Sequence, residues 1–332
     1  MYLFNRKATR QIAAVILSLS IVTGAAHAGV TVVGRYAGEF LDLGAGARSL
    51  AMGGIGVAFP NEATAGYHNP ARLAWVQRNA AEFMHASYFD NNYSYDFLGF
   101  ARPFKNKTAI GITILYARVG DIPLTTLQDP SRPLGDDNRV AVRKMSSDNE
   151  LALMMSAGMP FRWGWKWGGS VKLLYKGVAE ESAYGVGFDL GLAREIGRHA
   201  AVGFAVRDLT GSALAWTTGR TEIIPPSILA GGSWGIGLPS LRADLRVMAD
   251  LQSRFESRGE AEVIDAGVLS IEPRMGIEYL ISKVLALRGG LLGDNITAGA
   301  GLFISSVTLD YAFQPHEELG NTHRVSIGLS WK

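Results

Sequence analysis

Period-two alternation governs what this chain can fold into. From residue 79 onward, short segments place apolar residues on one face and small or charged residues on the other, the pattern of strands with one buried or lipid-facing side. Leu241 to Leu251 is the clearest case. Leu241, Ala243, Leu245, Val247, Ala249 and Leu251 share one face; Arg242, Asp244, Arg246, Met248 and Asp250 share the other. Tyr184 to Leu192, Val307 to Phe313 and Arg324 to Trp331 repeat the pattern. No stretch after Ala28 approaches 18 apolar residues, so spanning helices are not expected there.

A soluble β-sandwich shows the same period. Three further features favour a membrane barrel. The segments run about 9–13 residues, near the ~9–11 that a tilted membrane strand needs. Aromatics gather at segment ends (Tyr88, Phe89, Tyr93, Phe104, Phe161, Trp163, Trp165, Phe313, Trp331), as interfacial girdles require. Connections alternate between tight ones, such as Asp90-Asn91-Asn92 and Lys105-Asn106-Lys107, and long polar ones at 120–148, 208–226 and 253–269. The expected fold is all-β: a transmembrane antiparallel barrel of about 14 strands. The strands are placed at 79–89, 93–103, 108–119, 148–160, 165–179, 182–196, 200–208, 227–237, 241–252, 270–280, 284–292, 295–304, 306–315 and 322–332. Closure follows because unpaired backbone is not tolerated in hydrocarbon, and the segment ending in Trp331-Lys332 is placed to complete the ring. Asp189, Arg242, Asp244, Arg246, Asp250 and Asp310 fall on inward rows and are read as charges of a wet lumen.

The first 28 residues read as a signal peptide. Arg6, Lys7 and Arg10 form a basic region, Ile12 to Thr23 an apolar one, and Ala26-His27-Ala28 a small-x-small cleavage site. Without those three cations, 29 of the 32 Lys and Arg remain against 30 Asp and Glu. The basic pI therefore comes from the leader and carries no sign of nucleic-acid binding. Cysteine is absent, which excludes a disulfide-stapled secreted scaffold.

Residues 29–78 differ from the rest and are expected to form a small plug, with 79–332 as the barrel. Gly44, Gly46, Gly53, Gly54 and Gly56 interrupt any long helix or strand. Asn69-Pro70-Ala71 reads as an N-cap with proline at the first helical position. Irregular backbone of this kind is tolerated at membrane depth only inside protein. Arg48, the one basic residue between 40 and 59, is expected to pair with a lumen acid: Asp189, Asp244, Asp250 or Asp310.

Catalytic and metal signals are weak. Gly231-Gly-Ser233-Trp-Gly235 matches a nucleophile-elbow pattern but lies inside a strand segment, with no base or acid placed to serve it. The histidines at 68, 85, 199, 316 and 323 lack ligand spacing. Asp136-Asp137-Asn138 reads as a solvated loop rather than a calcium site. The 44–56 glycines lack the lysine of a phosphate loop. Neither an enzyme nor a cofactor is expected.

Gly44-Ala-Gly-Ala-Arg-Ser-Leu-Ala-Met-Gly-Gly-Ile-Gly-Val-Ala58, followed by Ala63-Thr-Ala-Gly-Tyr-His-Asn-Pro-Ala-Arg-Leu-Ala74, resembles the signature of the PorV/PorQ family, within the wider FadL-like outer-membrane barrels. The shared positions include Gly44, Gly46, Arg48, Met52, Gly53, Gly54, Asn69 and Pro70. His68 stands where the family often has Trp or Phe, and Arg72 where it often has Gly. The resemblance implies a fourteen-stranded barrel with an N-terminal hatch in the bacterial outer membrane. It further implies handling of exported cargo together with type IX secretion proteins. FadL-like relatives instead imply carriage of hydrophobic small molecules through the plugged barrel. Outer-membrane lipid is the partner common to both.

Overall fold

The computed structural model describes residues 31–33, 37–89, 91–256, 264, 265, 267, 269–315 and 320–332. The leader expected at 1–28 lies outside the described residues, as do Asp90 and His316.

The described strands are β1 (Thr31–Val33), β2 (Asn79–Tyr88), β3 (Tyr93–Pro103), β4 (Ala109–Leu127), β5 (Val140–Pro160), β6 (Trp165–Val178), β7 (Glu181–Ile196), β8 (Ala200–Arg207), β9 (Ser212–Trp216), β10 (Thr221–Ile224), β11 (Ser227–Leu238), β12 (Ala243–Arg254), β13 (Ile264–Asp265), β14 (Ser270–Ile281), β15 (Leu285–Leu292), β16 (Asn295–Ile304), β17 (Val307–Gln314) and β18 (Thr322–Trp331). Fourteen of them form a closed antiparallel barrel: β2 to β8, β11, β12, and β14 to β18. β18 pairs with β2 from His323↔Ser87 to Trp331↔Asn79, which closes the ring. No spanning strand is thereby left with an open edge.

The outward rows are apolar and open to the surroundings: Phe83, Leu98, Ile112, Leu173, Phe204 and Val247, for example, are each 42–47 % exposed. A soluble sandwich would bury that face, whereas a barrel turns it to lipid. The protein is an outer-membrane-type barrel. Phe104, Phe161 and Trp163 sit at its short-turn end and are exposed, Trp163 to 81 %. Tyr88 departs from the expected girdle: it is buried and faces inward, beside the Arg324 guanidinium.

The long connections all leave one end, which the usual asymmetry of such barrels makes extracellular. Those at 120–148 and 208–226 are more ordered than their polarity suggests. β4 and β5 continue beyond the barrel as a ribbon in which Ile122–Leu127 pairs with Val140–Ser146, with β-bulges at Val119/Ile122 and Leu124/Thr125. The span 120–148 is therefore largely a hairpin and not a loop. The connection 208–226 folds into the β9–β10 hairpin, whose first strand pairs with the upper part of β7 and whose second pairs in parallel with β1.

Residues 37–76 occupy the lumen. Short turns follow one another there: Glu39–Leu41 and Pro70–Trp75 are 3-10 turns, and Ala47–Leu50 and Ala65–His68 are single α-helical turns. The segment bonds to strands on opposite sides of the ring, from Ser326 on β18 and Thr297 on β16 to Leu192 on β7. It therefore lies inside the barrel.

Candidate functional site

The lumen wall has two chemically different halves. On β12 and β14 to β18 it is charged. Arg48 donates from Nε to Glu278 Oε2 (2.9 Å) and from Nη2 to Glu278 Oε1 (2.7 Å), with Glu62 at 3.3 Å. Arg288 bridges Glu278 (2.8 Å) and Asp310 (2.7 Å). The partner of Arg48 is thus none of the four acids named from the sequence. Asp310 is held by Arg288, and Asp189 accepts from Lys172 (2.8 Å), which also reaches Asp208 at 2.6 Å. Asp250 Oδ2 accepts the backbone N–H groups of Gly56 (2.8 Å) and Val57 (3.0 Å). Pairing of this kind is what permits charge in a site closed to water.

Arg242 is not a lumen residue. Its strand starts at Ala243, and Arg242 lies in the preceding turn with left-handed backbone, exposed. Leu241 lies in the same turn, 60 % exposed. Asp244 keeps the inward parity but sits exposed at the rim. Arg246 faces inward, its Cζ 4.5 Å from the Phe59 ring centroid, the same distance as Arg48 Cζ.

The plug-motif residues fit against the wall closely. Met52 is fully buried. Gly53 has φ +74° and donates to Thr297 Oγ1 (2.9 Å), and a side chain there would collide with the Leu291 carbonyl. Gly54 accepts from Arg274 at 3.5 Å. Gly44 donates to the Tyr67 hydroxyl (3.2 Å) and accepts from Tyr95 (2.9 Å), while Gly46 abuts Glu82 and Thr64. Asn69 Oδ1 caps the following turn by accepting from Ala71 N (3.1 Å), with Pro70 in the first helical turn, and its Nδ2 donates to Val57 O (2.8 Å). The wall answers with inward glycines: Gly276 and Gly290 face Met52, and Gly158 and Gly168 face Pro70.

On β2 to β6 the wall carries an apolar band, contrary to the small-or-charged lumen expected, flanked by the Glu150–Lys176 ion pair (2.6 Å) and by Lys172. Met84, Tyr95, Phe97, Leu115, Met154 and Leu174 point inward and are buried, covered by Phe40, Leu41, Leu50 and Tyr67 of the lumen segment. Tyr67 closes this cluster by donating its hydroxyl to Leu41 O (2.6 Å).

Glu278, Arg288, Arg274 and Lys172 were not singled out from the sequence. The signal was present: Arg274, Gly276 and Glu278 alternate with Met275 and Ile277 as regularly as residues 241–251 do. Among the described residues no cluster of potential metal ligands occurs. Ser233 lies within β11 and not at a strand-to-helix elbow.

No family model matches the chain, and no curated protein matches it. Solved structures do. The CymD monoaromatic hydrocarbon channel aligns with a TM-score of 0.57 at 14 % identity, covering 87 % of this chain and 98 % of that one. The Pseudomonas putida toluene transporter TodX aligns with a TM-score of 0.55 at 13 % identity, covering 86 % and 96 %. At these identities the likeness concerns the fold. The chain shares the fold of these outer-membrane β-barrels.

Proposed function

We propose that the protein carries hydrophobic small molecules across the outer membrane, along the apolar wall of β2 to β6, with the lumen segment as the stopper. In this reading residues 1–28 direct export, 29–78 form the plug and 79–332 the barrel. The carrying observation is the buried inward row Met84, Tyr95, Phe97, Leu115, Met154 and Leu174 beneath Phe40, Leu41 and Tyr67. A water-filled pore has no use for such a wall, since hydrating apolar surface costs about 25 cal/mol per Å². An apolar guest can replace the apolar stopper without that cost. The fold shared with a monoaromatic hydrocarbon channel and a toluene transporter supports the same substrate class. No enzymatic role is proposed. Uptake of labelled toluene by a Gram-negative host lacking such channels tests the reading. Expression should raise uptake, and Leu115→Lys should return it to background. Protein-independent uptake would overturn it.

We propose as a second reading, on the resemblance of residues 44–74 to PorV/PorQ proteins alone, a role in type IX secretion. The β4–β5 ribbon, which exposes Val140, Val142 and Met145, would present the surface for exported cargo. Cargo retention that is lost on removing residues 128–139 would favour this role over hydrocarbon carriage.

A further inference from the structure

A cavity of about 570 Å³ opens at the short-turn end and is lined by Arg48, Phe59, Glu62, Arg72, Glu195 and Arg246, among others. That volume is in the range of small-molecule sites. Its chemistry is opposite to that of the apolar wall. Arg72 is 2 % exposed, held over the Trp75 ring with Cζ 4.3 Å from the centroid. Its Nη2 donates to Asn61 and stands 3.6 Å from Glu195. Its Nε and Nη1 are buried and meet no protein acceptor. Two unsatisfied donors on a buried cation are costly to keep. Arg246 lines the same cavity, its Cζ 4.5 Å from the Phe59 ring centroid, and among the described residues it forms no ion pair within 4 Å. Glu195, 44 % exposed, is the only acid within ion-pair distance of Arg72 among the described residues. Glu62 is engaged by Arg48 (3.3 Å), and the four lining arginines, Arg198 included, outnumber the two lining glutamates. Ala58, Ala200 and Ala201 supply an apolar floor.

We propose that this periplasmic vestibule binds the carboxylate of a small organic acid between Arg72 and Arg246, with the acid's apolar body against Phe59 and the alanines. Guanidinium groups suit the task because their forked donors match carboxylate geometry. The proposal does not depend on hydrophobic transport, because it concerns equilibrium binding at the opposite end of the lumen.

Calorimetric titration of the detergent-solubilised full-length protein with benzoate, and with benzamide as its neutral isostere, tests it. Benzoate should bind saturably and benzamide should not. Added salt should weaken the binding. Arg72→Gln and Arg246→Gln should each weaken it roughly tenfold or more, tenfold being about 1.4 kcal/mol. Glu195→Gln should tighten it, because it removes the competing carboxylate. Heat-dependent gel mobility verifies that each variant is folded. Where Arg72→Gln does not fold, Arg246→Gln and Glu195→Gln decide. Absence of benzoate binding, equal binding of benzamide, or unchanged affinity in the folded variants would overturn the proposal.

Discussion

Arg48 of the lumen segment and Glu278 of β14 meet in a two-pronged ion pair, 2.9 Å and 2.7 Å long, across 230 residues of sequence. Glu278 also accepts from Arg288, which in turn holds Asp310. The two partners are therefore not equivalent. Losing Arg48 leaves Glu278 paired, whereas losing Glu278 leaves Arg48 dependent on Glu62 and weakens the tie of Arg288. Glu278→Leu should cost about 3–5 kcal/mol, the figure for breaking a buried pair, and Arg48→Leu clearly less. Urea unfolding from lipid vesicles measures both. Equal costs would show that the network does not pivot on Glu278.

The lipid face gives a second expectation. Val247 lies on the outward row of β12 near its middle, 45 % exposed. Val247→Arg should cost about 2–4 kcal/mol, as for a cation near the bilayer midplane. Asp244→Arg, at the rim of the same strand, should cost almost nothing. The same unfolding assay reads both, and a reversed order would place the membrane elsewhere on the barrel.

Adjacent glycines on β15 separate wall from lipid. A side chain at Gly290 would collide with the Met52–Gly53 backbone, whereas at Gly289 its nearest contact is 3.8 Å away. Gly290→Val should destabilise by about 1–3 kcal/mol, as overpacking does, and should displace the lumen segment enough to raise conductance in a planar bilayer. Gly289→Val should leave conductance unchanged. If both variants conduct like the native protein, the wall does not seat the segment.

Much of the barrel was legible because lipid on one side and a packed lumen on the other impose a strict period of two. Fourteen segments read from the sequence correspond to the fourteen barrel strands. The ribbon beyond the membrane was missed because Thr125, Leu127, Val140 and Val142 lie among polar residues and no turn marks where the bilayer ends. The apolar wall was hidden for a different reason. On β3, Tyr95 and Phe97 face inward while Leu98 and Phe100 face outward, so both rows are apolar and alternation cannot tell lipid from lumen. The partner of Arg48 depends on how a segment without regular structure sits against strands more than two hundred residues away. Local pattern carries nothing about that placement, and the nearest aspartates on inward rows were the wrong acids.

The central claim is that the lumen segment must move for hydrophobic molecules to pass. The native chain has no cysteine, so an engineered pair can report on this without interference. A Cβ at Gly66 lies 3.5 Å from Ser156 Cβ on the inner face of β5, within the ~3.5–4.5 Å span of a disulfide. Uptake of labelled toluene by cells carrying Gly66→Cys with Ser156→Cys should be near background when the pair is oxidised and should recover on reduction. Equal uptake in the two states, with the disulfide verified by mass spectrometry, would contradict the claim.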